Sequence, residues 1–238
     1  ARFSSYESIP NNLDADAIIV PVDTPDNILK QRSEITNVIV EIPRGLFGIG
    51  QARLQKLLSN AQHAGVKAAI CGNIGALEPA RESKLPIIAG WGMNITNGHA
   101  LQGLVQRGAS AAVLSQELTF PQMSFARGAD LPCGIIAYGR QPLMLLRNCP
   151  AKAKSGCGDC NGQSALVDRR GMRFPLECAG GCAELLNSTP LWLADIQNMP
   201  PLDFLILYFT DEAPKQVLSI IKAYKSGGAP PENFTRGL

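Results

Sequence analysis

The sequence predicts an α/β protein, a (β/α) barrel or part of one, broken by a cysteine-rich irregular insertion. Three observations carry that prediction. Short, continuous apolar runs bounded by turn residues recur along residues 1–138, as expected of parallel strands buried on both faces. Segments with helical spacing separate these runs, which is the rhythm of successive β/α units. Five of the seven cysteines then crowd into residues 149–182, where the repeat stops.

The apolar runs at residues 16–22, 37–42, 67–71, 86–90, 111–114 and 133–138 are the predicted strands. Between them, residues 24–32, 49–64, 97–107 and 120–127 are the predicted helices, and Leu54, Leu57, Leu58 and Ala61 form one apolar stripe on the second. An open doubly wound sheet is the alternative to a barrel. It would normally carry G-x-G-x-x-G at its first strand-to-helix turn, and none is present; the Gly45, Gly48 and Gly50 cluster after Pro43-Arg44 reads as a loop. Residues 139–200 form a cysteine-rich segment with a turn at Asp168-Arg169-Arg170-Gly171 and a cap or turn at Asn187-Ser188-Thr189-Pro190. A strand at 203–209 and a helix at 215–224 restore the repeat, so the organisation is a barrel portion (1–138), a metal-binding segment (139–200) and a final β/α unit (201–238).

A chain of 238 residues with 45% hydrophobic content can bury a large core. Its formal net charge of +2 gives no global electrostatic case for a nucleic-acid partner. No stretch reaches the roughly 20 apolar residues of a membrane span, and the start lacks a secretory pattern; the expected location is cytoplasmic. The chain opens on Ala1 and stops in loop-like sequence at Phe234 to Leu238, as in a fragment of something longer.

The clustered cysteines read C-x7-C-x2-C-x17-C-x3-C, namely Cys149, Cys157, Cys160, Cys178 and Cys182. A Cys-x2-Cys pair sets two thiolates on one turn, and two more complete a four-sulfur shell for tetrahedral zinc or an iron-sulfur cluster. Crowded thiols of this kind in a reducing compartment favour metal over disulfides. Cys71 and Cys133, each at the edge of an apolar run, read as core residues. Protease chemistry finds little support in the residues: His63 and His99 are the two histidines, a Cys or Ser nucleophile needs a base within reach, and no His-Glu-x-x-His is present. His63, at a helix end ahead of Gly65, reads as a residue that caps carbonyls.

Several motifs together resemble the U32 peptidase, or collagenase-like, family. They are Tyr138-Gly139-Arg140-Gln141-Pro142-Leu143-Met144, Arg147-Asn148-Cys149-Pro150, Gly156-Cys157, Cys160, the Asp168-Arg169 turn with Gly171 and Phe174-Pro175, Cys178, Cys182, and Glu184-Leu185-Leu186-Asn187-Ser188. Upstream, Asn94-Ile95-Thr96-Asn97 and Leu114-Ser115-Gln116-Glu117-Leu118 resemble its barrel motifs. The resemblance implies a (β/α) barrel and a [4Fe-4S] cluster held by Cys149, Cys157, Cys160 and Cys178, with Cys182 able to replace one of them and zinc as the alternative metal. The family's His-Gly-Ala-x-Cys run is absent, since Cys149 follows Arg147-Asn148.

By resemblance the function is oxidative modification, by hydroxylation, of RNA; the alternatives are a peptidase acting on collagen-like or unfolded protein and a non-catalytic module with structural zinc. In a barrel the site sits at the carboxyl ends of the strands. There Glu117 is the acid/base candidate, His99 a second catalytic candidate, and Arg140 a bidentate holder of an anionic substrate, with Arg44 able to join it. Asn94 and Asn97 are placed to order a substrate through amide hydrogen bonds. Trp91 and Tyr138, at strand ends, are the candidates to stack an RNA base.

Overall fold

The computed structural model describes residues 1–47, 50–127, 131–155, 164–179 and 181–237. Strands β1 (Arg2–Phe3), β2 (Ala17–Pro21), β3 (Asn37–Ile42), β4 (Ala68–Cys71), β5 (Ile87–Ala89), β6 (Ala109–Val113) and β7 (Cys133–Gly139) pair in chain order and in parallel. Helices α1 (Asp26–Ser33), α2 (Gln51–His63), α3 (Leu77–Glu82), α4 (Gly98–Val105) and α5 (Phe120–Ala126) occupy the connections. After β7 the chain leaves the barrel through β8 (Pro142–Leu146), α6 (Pro150–Ser155), β9 (Ala165–Val167), β10 (Arg173–Ala179) and β11 (Cys182–Leu186), and β12 (Leu191–Trp192) returns antiparallel to the end of β7. Strand β13 (Phe204–Phe209) then enters between β7 and β1, parallel to both, and α7 (Pro214–Ser226) follows.

With β13 in place, eight parallel strands form a closed barrel surrounded by helices, and the open-sheet alternative is set aside. Period-2 alternation explains the closure. Ile19, Ile39, Ile70, Ile88, Val113, Ile136 and Ile206 fill the barrel interior, whereas Ile18, Val20, Val38 and Val40 point outward beneath the helices. On α2 the predicted stripe covers that outer layer, with Leu54, Leu58 and Ala61 buried.

The predicted strands and helices agree with the structure to within a few residues. Sequence reading passed over β1, α3 and β12, each six residues or shorter. It also expected an irregular insertion, and this needs correction for the described part: β8, β11, β10 and β9 form a four-stranded antiparallel sheet in that order. Glycines and cysteines punctuate those runs and hide their strand character. Cys157 and Cys160 lie outside the described residues. Cys71 and Cys133 are fully buried, and burial pushes the Cys71 thiol up to about 12.

Candidate active site

A cavity of about 890 Å³ opens at the carboxyl ends of β1, β2, β3 and β13 and is walled on its other side by the four-stranded sheet. Strand alternation sets its inner end. Glu41 lies two residues beyond the interior Ile39, and Tyr208 two beyond Ile206, so both side chains occupy the next layer up inside the barrel. Arg2 is in register with Ile19 on one side and Tyr208 on the other.

Arg2 is the hub of that layer. Its Nε donates to Glu41 Oε2 at 2.8 Å, its Nη1 to Ser4 Oγ at 2.8 Å, and its Nη2 pairs with Glu177 of β10 at 2.7 Å. The guanidinium lies 4.0 Å from the centre of the Tyr208 ring, and the Tyr208 hydroxyl donates to Glu177 Oε2 at 2.9 Å. The second Glu41 oxygen, Oε1, is buried and has no hydrogen-bond partner among the described residues. Burial raises the Glu41 carboxyl above its ordinary range while Arg2 opposes the shift. Burial also works against the Arg2 charge, but Glu177 and Glu41 outweigh it and hold the guanidinium protonated. One hub cation thus serves two carboxyl groups at the inner end of the cavity.

Further out, Arg44 pairs with Glu184 of β11 at 3.6 Å. Burial pushes the Glu184 carboxyl up to about 7, against the pull of Arg44. Trp91, in a one-turn 3₁₀ helix after β5, stands edge-on to Tyr208 with ring centres 5.4 Å apart. At the mouth Arg147 and Lys152 are exposed, and Arg147 rests over the Phe47 ring at 4.4 Å. The cavity therefore grades from an acidic floor to a basic rim.

Three cysteines line the same cavity: Cys149 ahead of α6, Cys178 on β10 and Cys182 on β11. Cys178 and Cys182 belong to one hairpin, where they pair with Ala183 and Ala179 respectively. Cys182 is buried, and its sulfur sits where a Cβ on Gly45 would come within 2.6 Å. Cys149 is half-buried and Cys178 exposed. The described residues alone gather no group of three metal-ligating side chains. A four-thiolate shell on this wall therefore needs Cys157, Cys160 or both, and the thiolate chemistry of the wall fits either a cluster or zinc.

Residues 50–162 match the family model for peptidase family U32, a stretch running from α2 through the barrel to the cysteine segment. That stretch is similar to the U32 family. Among curated proteins no sequence matches. Among solved structures, the crystal structure of Aspergillus fumigatus Ega3 in complex with galactosamine aligns at 10% identity, covering 63% of this chain and 82% of that one with a TM-score of 0.40.

Arg44 and Trp91 stand on the cavity wall with Cys149 and Cys178. Among the described residues, the remaining candidates are not part of its lining. Arg140 donates to the carbonyls of Asn187 and Ser188 and lies 3.6 Å from Asp211, which ties β7 to the segment returning from the small sheet. Tyr138 is buried in an aromatic cluster with Trp192, Phe209 and Tyr224 and donates to Glu212 at 2.8 Å. Glu117 is exposed, its backbone N–H donating to Ser115 Oγ at 3.2 Å. Ser115 Oγ in turn donates to Asn94 Oδ1 at 2.5 Å, and Asn94 has the left-handed φ of 48°. Asn97 caps α4 by accepting from the Ala100 N–H at 2.9 Å, and His99 is exposed in that helix's first turn. His63 bonds the Ser59 carbonyl at 2.7 Å.

Sequence reading passed over Arg2, Glu41, Glu177, Glu184 and Tyr208. Glu41 did carry a signal, being a charge inside the apolar run Val38-Ile39-Val40-Glu41-Ile42, since a buried carboxylate demands a partner. Nothing in the sequence pairs it with Arg2.

Proposed function

We propose that this chain is a U32-type iron-sulfur protein of the cytoplasm that modifies RNA oxidatively, with the cavity at the barrel's carboxyl end as the substrate site. The observation that carries the reading is the position of Cys149 and Cys178 on the wall of the cavity that also holds the Arg2 charge network. The ligand set is Cys149, Cys157, Cys160 and Cys178. Packing against Gly45 occupies Cys182, whereas Cys149 and Cys178 are the more open of the three. Bound there, a [4Fe-4S] cluster would supply one-electron redox chemistry beside the substrate.

The wall supports RNA as the substrate class. Arg147 and Lys152 at the mouth suit phosphates, Trp91 offers an aromatic face, and the volume is in the range of ligand sites that enclose a whole small molecule. Hydroxylation replaces a C–H by a C–OH, a two-electron oxidation in which an oxygen-donating co-substrate supplies the oxygen atom and is itself reduced. The chain's own residues bind and orient: Arg44 and Glu184 sit where a substrate would pass from the rim to the floor. A peptidase reading lacks comparable support, because neither His63 nor His99 lines the cavity that holds the thiols. No described helix is long and apolar enough to cross a membrane.

The test is nucleoside mass analysis of RNA from cells lacking the protein, complemented with the wild type or with Cys178→Ser. A nucleoside heavier by one oxygen atom, restored by the wild type only, supports the reading. Identical RNA in all strains, together with cleavage of denatured collagen that survives removal of iron, would replace it with the peptidase.

A further inference from the structure

The Arg2 network leaves one feature unexplained by folding. Arg2 spends one N–H of each nitrogen on Glu41 Oε2, Ser4 and Glu177, and none of its donors reaches Glu41 Oε1. That oxygen is an acceptor on a cavity-lining residue only 6% exposed, and it has no partner among the described residues. An orphaned carboxylate oxygen costs stability in the empty protein. It is repaid when a ligand donates to it. Trp91 Nε1, on the same wall, is likewise buried without a partner.

We propose that the floor of the cavity is a subsite for a single unpaired nucleotide, in which Glu41 Oε1 accepts a hydrogen bond from an N–H on the Watson–Crick edge of the inserted base while Arg147 and Lys152 hold its phosphates at the mouth. This rests on the RNA reading given above. The lining selects the orientation: the two carboxyl groups of the floor, already sharing one guanidinium, suit a donor better than a phosphate, and the exposed basic rim does the reverse. Each of the four bases carries an N–H on that edge, and enzymes acting on a base read it there once it has left the stack. The edge-on Trp91 supplies a wall for the ring.

Replacing Glu41 by glutamine inverts the subsite without changing its shape. Arg2 Nε requires an acceptor, so the glutamine oxygen turns to Arg2 and its NH₂ faces the cavity, a donor where an acceptor stood.

The experiment titrates the full chain with single-stranded RNA oligomers of each base, and with analogues whose edge N–H is deleted, amino replaced by hydrogen or ring N–H by C–H. Intrinsic fluorescence is the readout. Trp91 and Trp192 are the two tryptophans, and only Trp91 lines the cavity, Trp192 being 3% exposed. Deleting the donor from the best-bound oligomer should weaken binding to the wild type by about 10- to 100-fold. Glu41→Gln should weaken the parent oligomer comparably and be indifferent to the deletion. The analogue series on the wild type decides the matter even where Glu41→Gln folds poorly. Oligomers that bind but ignore both changes would overturn the subsite while leaving RNA binding intact. If no oligomer binds, or an unfolded peptide binds in its place with the same dependence on Glu41, the RNA reading falls and the nucleotide subsite falls with it.

Discussion

Replacing Arg2 by alanine strips the counter-charge from two buried carboxylates at once. The Arg2 and Glu41 side chains are 5% and 7% exposed, and Glu177 is 12% exposed, with contacts of 2.8 and 2.7 Å. Solvent therefore screens little of the interaction. Removing one member of a buried ion pair costs about 3–5 kcal/mol, and here Glu41 and Glu177 both lose their partner, which puts the loss at the upper end. That is a large share of the roughly 5–15 kcal/mol that holds a domain together. In urea it corresponds to a midpoint lowered by about 1 to 2 M. The loss also depends on pH. Without Arg2, burial acts unopposed on the Glu41 carboxyl and raises it further above its unfolded value, so the variant keeps its stability below the unfolded pKa and sheds it as pH rises through the folded one. The deficit relative to wild type should thus be larger at about pH 8 than at about pH 5. Urea unfolding followed by circular dichroism at both pH values measures it. A variant within about 0.5 kcal/mol of wild type, the level of an ordinary surface substitution, at both pH values would refute the hub role of Arg2.

Glu184 carries its own pH signature. With its carboxyl pushed up to about 7 by burial against an unfolded value near 4.3, it contributes stability below about pH 4 that is lost as pH rises through 7. Glu184→Gln should remove this slope, worth about 3–4 kcal/mol, and unfolding curves of unchanged pH dependence would contradict it. Gly45→Ala brings a Cβ within 2.6 Å of Cys182 Sγ and should cost about 1–3 kcal/mol by overpacking. Cys182→Ala in the same chain should restore most of that loss, and a double-mutant cycle with no coupling would show that the two do not touch. Arg140→Ala should lower the thermal midpoint through the lost carbonyl contacts to Asn187 and Ser188. It should leave RNA affinity within a factor of about 2, since surface-type contacts away from a site change little; an affinity that fell with Arg140 would place it in the site.

The barrel was legible because its physics is local. Continuous apolar runs such as Ile18-Ile19-Val20 can be buried on both faces in only a few architectures, and the stripe on α2 shows which side of the sheet is covered. The small antiparallel sheet was not legible, because cysteines and glycines around Arg173 to Leu186 interrupt the alternation that marks a strand. The cavity was half legible. Arg44 and Trp91 follow strand ends, and strand ends point to the barrel's functional face. Glu117, His99 and Asn97 follow strand ends too, yet Glu117 and His99 are exposed and Asn97 caps α4, a role its residue type favours. Arg2, Glu41, Glu177 and Tyr208 converge from four separate strands. Only closure of the barrel through β13, and the folding of β10 over it, brings them together.

The central claim is that the cysteine wall of this cavity holds a redox cluster. Iron, zinc and acid-labile sulfide content after anaerobic purification, with an absorbance spectrum, tests it most directly on the wild type and on Cys149→Ser, Cys178→Ser and Cys182→Ser. Iron and sulfide in the proportion of a [4Fe-4S] cluster are expected, lost in the first two variants and retained in Cys182→Ser. Zinc without sulfide, with unfolding on chelation, would contradict it and leave a structural metal in place of a redox centre.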